Sequence, residues 1–381
     1  MTITFISNYI NHHQLPFCDA LFRLLGNDFY FVQTEKMAEE RLKMGWDNTG
    51  EKRAYVRKLD EEEEFILNLI NDSDILLAGW SEEKKIEAAV LARVKNNKPV
   101  FRISERIYRT GRWKFISPRG LIRKFKEHTR YRNKKYYLLC AGSYVAGDFR
   151  MIKAYPDKKY RWGYFPATAK YGEGLYHKKN NNEVIQICWA GRFIPLKHPD
   201  YMLRLANDLK ISGYSFLLHI IGSGEMENDL REMAADYQIT ESVVFHGAFP
   251  PDKVREIMEN CHIYVLTSDY REGWGTVLNE AMNSGCAVVA SEEAGSTRYL
   301  VTNGINGFSY PKNNYSEMRD LVKSLLDDPE KLNEFGHNAY QTITGLWNAE
   351  TAAGELVRVC RDILAGNGVT PAGEGPMSAD I

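Results

Sequence analysis

The sequence predicts an α/β protein of two doubly wound, Rossmann-like domains. Short apolar runs rich in β-branched residues alternate with amphipathic helical patterns, as strands of a parallel sheet covered on both faces do. The runs fall into two series separated by a polar stretch. The 381 residues also exceed what one core ordinarily organises.

In the first series, strands are expected at Ile3–Ser7, Phe29–Gln33, Asp74–Ala78, Pro99–Ser104 and Tyr136–Ala141. In the second they are expected at Val184–Ala190, Phe216–Gly222, Val243–Gly247, Ile263–Thr267, Ala287–Ala290 and Gly307–Tyr310. Between them Pro166–Asn182 loses apolar periodicity and fills with Gly, Lys and Asn, including Lys178-Lys-Asn-Asn-Asn182. The expected division is therefore a first domain over 1–168, a linker over 169–182 and a second domain over 183–348. A final helical pattern, about Ala349–Leu364, is expected to pack back on the first domain. Gly366–Ile381 is rich in Gly, Pro and Ala and is expected to be disordered, with too little apolar surface to offset its ordering entropy.

A net charge of −1 gives the whole chain no drive toward nucleic acid or membrane. The six cysteines (Cys18, Cys140, Cys188, Cys261, Cys286, Cys360) are scattered, without a C-x-x-C pair, and read as reduced buried thiols of a cytoplasmic protein. The N-terminus reads as a strand, without the basic and apolar regions of a leader. No window approaches the roughly 18 apolar residues of a membrane span.

The informative segment runs from Ile263 to Met282. An apolar strand ends at Thr267, a short loop carries Glu272, and Gly273-Trp-Gly275 opens a helix near Thr276. Glycines at such a turn let backbone N–H groups approach a ligand, and a helix start suits a phosphate. Glu280 lies one turn beyond Thr276 on the same face. Two carboxylates beside a phosphate cradle make sense if each accepts hydroxyl hydrogen bonds, one from a sugar and one from a ribose. Upstream, Cys188-Trp-Ala-Gly191-Arg192-Phe-Ile-Pro-Leu-Lys197 is a strand running into a loop with two cations. A forked guanidinium and an ammonium together suit a strongly anionic ligand. Ile221-Gly222-Ser-Gly-Glu225 follows another strand, where a tight βα turn explains the glycines as well as a nucleotide contact does.

Glu272 and Glu280 in this setting form an E-x7-E pattern, and the chain resembles glycosyltransferase family 4, most strongly from Val184 to Pro311. The resemblance implies a GT-B fold, two such domains facing across a cleft, and sugar transfer with retention at the anomeric carbon. It implies that Glu272 contacts the donor sugar, Glu280 the nucleotide ribose, and Arg192 and Lys197 the diphosphate. Gly191, Gly222 and the Gly273, Trp274, Gly275 and Thr276 turn complete the donor site. The donor is expected to be a UDP- or GDP-sugar, with no further cofactor and no metal.

The acceptor side is expected in the first domain. Asn8, Asn11, His12, His13 and Gln14 crowd the carboxyl end of the first strand, where α/β ligands bind, and an uncharged polar cluster suits hydroxyl-rich ligands. Sequence neighbours point apart, so His12 and His13 are not expected to share a metal. Glu105 either orients an acceptor hydroxyl or pairs with Arg102 or Arg106. From Arg106 to Lys135 the chain carries twelve Lys/Arg against one acid, Glu127, interleaved with Trp113, Phe115, Phe125 and Tyr131. Its segment 121–130 reads as a basic amphipathic helix for an anionic membrane surface, at the cytoplasmic side of the cell membrane. A solvated basic face is the alternative. Nucleic acid is not an expected partner.

The expected activity is transfer of a sugar to a hydroxyl of a saccharide or lipid-linked saccharide, as in cell-surface polysaccharide or glycolipid synthesis. Two other readings stay open: a glycosyl phosphorylase on the same fold, and a non-catalytic scaffold subunit of a membrane polysaccharide assembly.

Overall fold

The computed structural model describes residues 1–39, 48–109, 111, 117–172, 179, 184–312 and 314–380. Most of the polar stretch Lys178–Asn182, with Trp113 and Phe115, lies outside the described residues. The chain forms two compact units, Met1–Ala167 with Trp347–Ile381, and Thr168–Leu346.

The first unit is built on a seven-stranded parallel sheet: β1 (Ile3–Ser7), β2 (Phe29–Gln33), β3 (Val56–Lys58), β4 (Ile75–Ala78), β5 (Val100–Ser104), β6 (Tyr136–Ala141) and β7 (Lys159–Trp162). Its strand order is β3-β2-β1-β4-β5-β6-β7. β1 and β6 are buried along their whole length, as continuous apolar runs between two helical layers must be. Neither β3 nor β7 was expected. At three and four residues, each reads as loop until a neighbouring strand supplies its hydrogen bonds. The helix Ala349–Ala365 packs on the helix Leu15–Leu25, with Arg23 reaching Glu350 at 2.9 Å.

The tail corrects the expectation of disorder. Arg161 N donates to Ser378 O, Met377 N to Arg161 O, and Asp380 N to Lys159 O, so residues 377–380 line the edge of β7. Met377 is fully buried. Composition missed this because a sheet edge supplies backbone partners that a low-hydrophobicity segment cannot find within itself.

The second unit carries a six-stranded parallel sheet: β8 (Ile185–Ala190), β9 (Phe216–Ile221), β10 (Val243–Gly247), β11 (Ile263–Leu266), β12 (Ala287–Ser291) and β13 (Gly307–Tyr310). The order is β10-β9-β8-β11-β12-β13. Its core joins Ile187, Trp189, Leu218, Ile220, Val265 and Val289 from the sheet to Met202, Leu205, Met318 and Phe335 from the helices. All six cysteines are buried thiols. Among the described residues no helix is long and apolar enough to cross a membrane.

In each unit the order reverses once, between β1 and β4 in the first and between β8 and β11 in the second. Ligands of doubly wound sheets bind outside the carboxyl ends of the strands at that reversal.

Candidate donor site in the second unit

The loops after β8 and β11 leave the sheet on either side of the reversal, and they carry the residues singled out from sequence. They are stitched together from below. Trp189 Nε1 donates to Thr267 Oγ1 at 2.8 Å, and Thr267 Oγ1 in turn donates to the carbonyl of Lys197. Asp269 N donates to Leu196 O at 2.9 Å. This fixes the backbone at Lys197, whose ammonium forms an ion pair with Glu272 Oε2. Both side chains are mostly buried, at 14% and 15% exposure, so each charge relies on the other.

Asp269 organises the rest of the β11 loop, and sequence reading overlooked it. Its carboxylate accepts from Arg271 N at 2.8 Å and from the Arg271 guanidinium through both oxygens, the shortest at 2.6 Å. Its carbonyl accepts from Glu272 N at 2.9 Å. An Asp two residues before an Arg in a strand-to-helix loop is a turn signal, but it carries no mark of a site.

Gly275 sits at φ +87°, and a Cβ there would lie 3.5 Å from Glu272 Cγ and 3.7 Å from Ser296 Oγ. The helix that follows, Val277–Asn283, has Thr276 at its N-cap. The Trp274 side chain is 1% exposed and its indole N donates to Asn279 Oδ1 at 2.8 Å, which leaves its backbone as the part of this residue that can meet a ligand. Its ring anchors the turn from within, and Ser296 N donates to its carbonyl at 3.0 Å.

Gly222 has φ +138°, and a Cβ there would stand 1.9 Å from Gly191 O. With Phe193 N donating to Ser223 O at 2.9 Å, the Gly-Ser-Gly turn lies flat against the β8 loop. Close packing of two loops therefore accounts for Gly222 by itself. Gly191 is next to Lys197 as well, with a Cβ there 3.7 Å from Lys197 Cδ. Arg192 stands exposed.

Around this centre lie buried oxygens without hydrogen-bond partners among the described residues: Ser268 Oγ, Ser296 Oγ and Glu293 Oε2. They follow the carboxyl ends of β11 and β12. Buried polar atoms are nearly always satisfied, so such a group marks where a ligand or water is to be met. Glu280 lies on the same short helix; burial pushes its carboxyl up to about 7, Arg255 opposing and Asp252 adding.

In the first unit, Asn11 Oδ1 accepts from His13 N at 3.0 Å and Asn8 Oδ1 from Ser7 Oγ at 3.3 Å. The His12 and His13 rings lie 3.8 Å apart between centroids. That corrects the expected divergence: the pair sits in a turn, where neighbouring side chains need not alternate. Glu105 meets Tyr164 Oη at 3.0 Å and Arg109 at 3.4 Å. Arg102, on the helix-covered side of β5, reaches Glu87, and Arg106 reaches Asp148. Of the basic segment, Pro118–Glu127 is helical. Lys124 and Tyr131 are buried, while Arg119, Ile122, Arg123, Phe125 and Lys126 are exposed.

Residues 176–342, somewhat under half of the chain, match the model of the family described as glycosyl transferases group 1. Over 177 residues the chain is 30% identical to D-inositol 3-phosphate glycosyltransferase of Nocardia farcinica, covering 45% of this chain and 39% of that protein. It is 25% identical over 189 residues to the capsular polysaccharide biosynthesis glycosyltransferase CapM of Staphylococcus aureus, covering 48% and 47%. The chain thus spans less than half the length of these curated relatives. Among solved structures, HepE of Anabaena in complex with UDP superposes with a TM-score of 0.71 at 14% identity, over 96% of this chain and 100% of that one. The lipopolysaccharide outer core galactosyltransferase WaaB gives 0.67 at 15% identity, over 96% and 100%. These likenesses establish the GT-B fold of two Rossmann-like domains.

Two outcomes test this geometry. Thr267→Val leaves Trp189 Nε1 buried without an acceptor and is expected to lower stability by about 1–3 kcal/mol in urea unfolding, whereas Thr267→Ser stays close to the parent. Between the ordinary carboxyl range and about 7, the folded chain holds a proton on Glu280 that the unfolded chain has lost. Stability therefore falls as pH rises through that window. Unfolding free energies from pH 5 to 8 should show that slope, and Glu280→Gln should flatten it.

Proposed function

We propose that the protein is a retaining glycosyltransferase that moves a sugar from a UDP- or GDP-sugar to a hydroxyl of a saccharide or lipid-linked saccharide, in cell-surface polysaccharide or glycolipid synthesis. One observation carries this reading: the Lys197–Glu272 pair stands at the strand-order reversal of the second unit, bordered by the Gly275 turn. The glycosyltransferase relatives of residues 176–342 support it.

In the proposed reaction Lys197 leaves Glu272 for the donor diphosphate, joined by Arg192. Both stabilise the charge that develops as the bond from the anomeric carbon to phosphate oxygen breaks. No metal is needed for this. Glu272, released, accepts hydroxyl hydrogen bonds from the donor sugar. Glu280 accepts from the ribose, and the Gly273–Thr276 turn offers backbone N–H groups to phosphate. Retention, taken from the family resemblance, implies attack on the face the diphosphate leaves, with the acceptor's proton passing to the departing phosphate oxygen. Ribose recognition by Glu280 favours this reading over a phosphorylase.

The exposed Arg119, Ile122, Arg123, Phe125 and Lys126 are proposed to rest the enzyme on the anionic cytoplasmic face of the cell membrane. A cation near such a surface gains about 1 kcal/mol, and the two apolar side chains enter the headgroup region.

Lys197→Ala is expected to lower kcat by about 10²–10³, and Glu272→Ala to abolish transfer while calorimetry still detects UDP or GDP. Binding of inorganic phosphate with no nucleotide binding would instead favour a phosphorylase. On the membrane, sedimentation with phosphatidylglycerol vesicles should retain the protein at low salt and lose it at high salt. Phosphatidylcholine vesicles should not retain it, nor should phosphatidylglycerol retain the Ile122→Ser/Phe125→Ser double variant. Equal retention on both lipids would remove the membrane role.

A further inference from the structure

The side chains that the donor reading leaves unused gather at the other strand-order reversal, between β1 and β4 of the first unit. After β1, an uncharged chain of hydrogen bonds runs through the polar cluster. Gln14 Nε2 donates to Ser7 Oγ at 3.2 Å, Ser7 Oγ to Asn8 Oδ1 at 3.3 Å, and Asn11 Nδ2 to Gln14 Oε1 at 3.3 Å. After β4, Gly79 N donates to Ile6 O at 2.8 Å. A Cβ at Gly79 would lie 2.9 Å from that carbonyl and 3.2 Å from Ser7 Oγ, so the β4 loop is pressed directly onto the cluster.

The next residue is Trp80, which is 68% exposed. The other described tryptophans, Trp162, Trp189, Trp274 and Trp347, are all at most 2% exposed. The loop that carries Trp80 is not loose. Ser81 Oγ and Thr34 Oγ share a hydrogen bond of 2.9 Å, Glu82 N donates to Glu35 Oε1 at 2.9 Å, and Glu83 N to Ser81 Oγ at 3.2 Å. A single exposed apolar residue ordinarily needs no explanation. Here a clamped backbone holds the largest apolar side chain in water, one residue beyond the glycine pressed onto Ser7, at the strand-order reversal where doubly wound sheets take ligands.

We propose that Trp80 is a binding platform for a pyranose ring of the acceptor saccharide. The electron-rich indole face meets the polarised C–H edges of the sugar. The amides of Asn8 and Gln14, each able to donate and accept, take its hydroxyls. The inference rests on the transfer reaction proposed above and assigns this crevice to its saccharide acceptor.

The test uses the full chain and saturation-transfer NMR with the methyl glycosides of glucose, galactose, mannose and N-acetylglucosamine, together with maltotriose. UDP binding is measured in parallel by calorimetry. At least one saccharide is expected to bind. Trp80→Ala should weaken it at least about tenfold and Trp80→Phe no more than about threefold, with UDP affinity unchanged in both variants. Unchanged saccharide binding in Trp80→Ala overturns the assignment, as does a native protein that binds none of the panel. UDP binding by the native protein leaves the donor reading standing in either case; its loss refutes a UDP donor without altering the saccharide result.

Discussion

The second unit depends on one shared hydroxyl. Thr267 Oγ1 stands between the Trp189 indole and the Lys197 carbonyl, so a core side chain is linked to the backbone of the residue that carries the paired cation. Two loops separated by some seventy residues of sequence are thereby held in one register. Without that link the β8 loop would rely on the Asp269 N–Leu196 O bond to hold Lys197 beside Glu272, and two mostly buried charges would be less firmly paired. The cost of separating such a pair holds both loops together at the strand-order reversal.

How legible this was depends on the range of the signal. The long apolar runs were readable because a buried parallel strand needs nothing but its own hydrophobicity, and β1, β2, β6, β10 and β13 fall where periodicity put them. β3 and β7 were not, since three or four residues become a strand through a neighbour's hydrogen bonds. The same holds for Met377, whose burial depends on an edge that lies more than two hundred residues away in sequence.

Glycines and charges announced themselves by type and spacing, and the structure brings Lys197, Glu272 and Gly275 close together. Asp269 and Thr267 did not announce themselves. Their work is done through contacts with Arg271, Leu196 and Lys197 that no local pattern encodes. Trp274 lies in the expected turn, and the fold turns its ring inward. Trp80, which drew no notice in the sequence, is the one tryptophan among the described residues that the fold leaves facing water.

The first unit is not continuous in the chain, for Trp347–Ile381 belongs to it. A ribosome makes those residues only after the whole of the intervening unit. Until they emerge, the outer side of Leu15–Leu25 has no helix to cover it, and β7 presents an open edge to any passing strand. Thr168–Leu346 can therefore complete its fold during synthesis, while Met1–Ala167 must wait for Trp347–Ile381. That delay is the interval in which a nascent chain of this architecture is most in need of a chaperone.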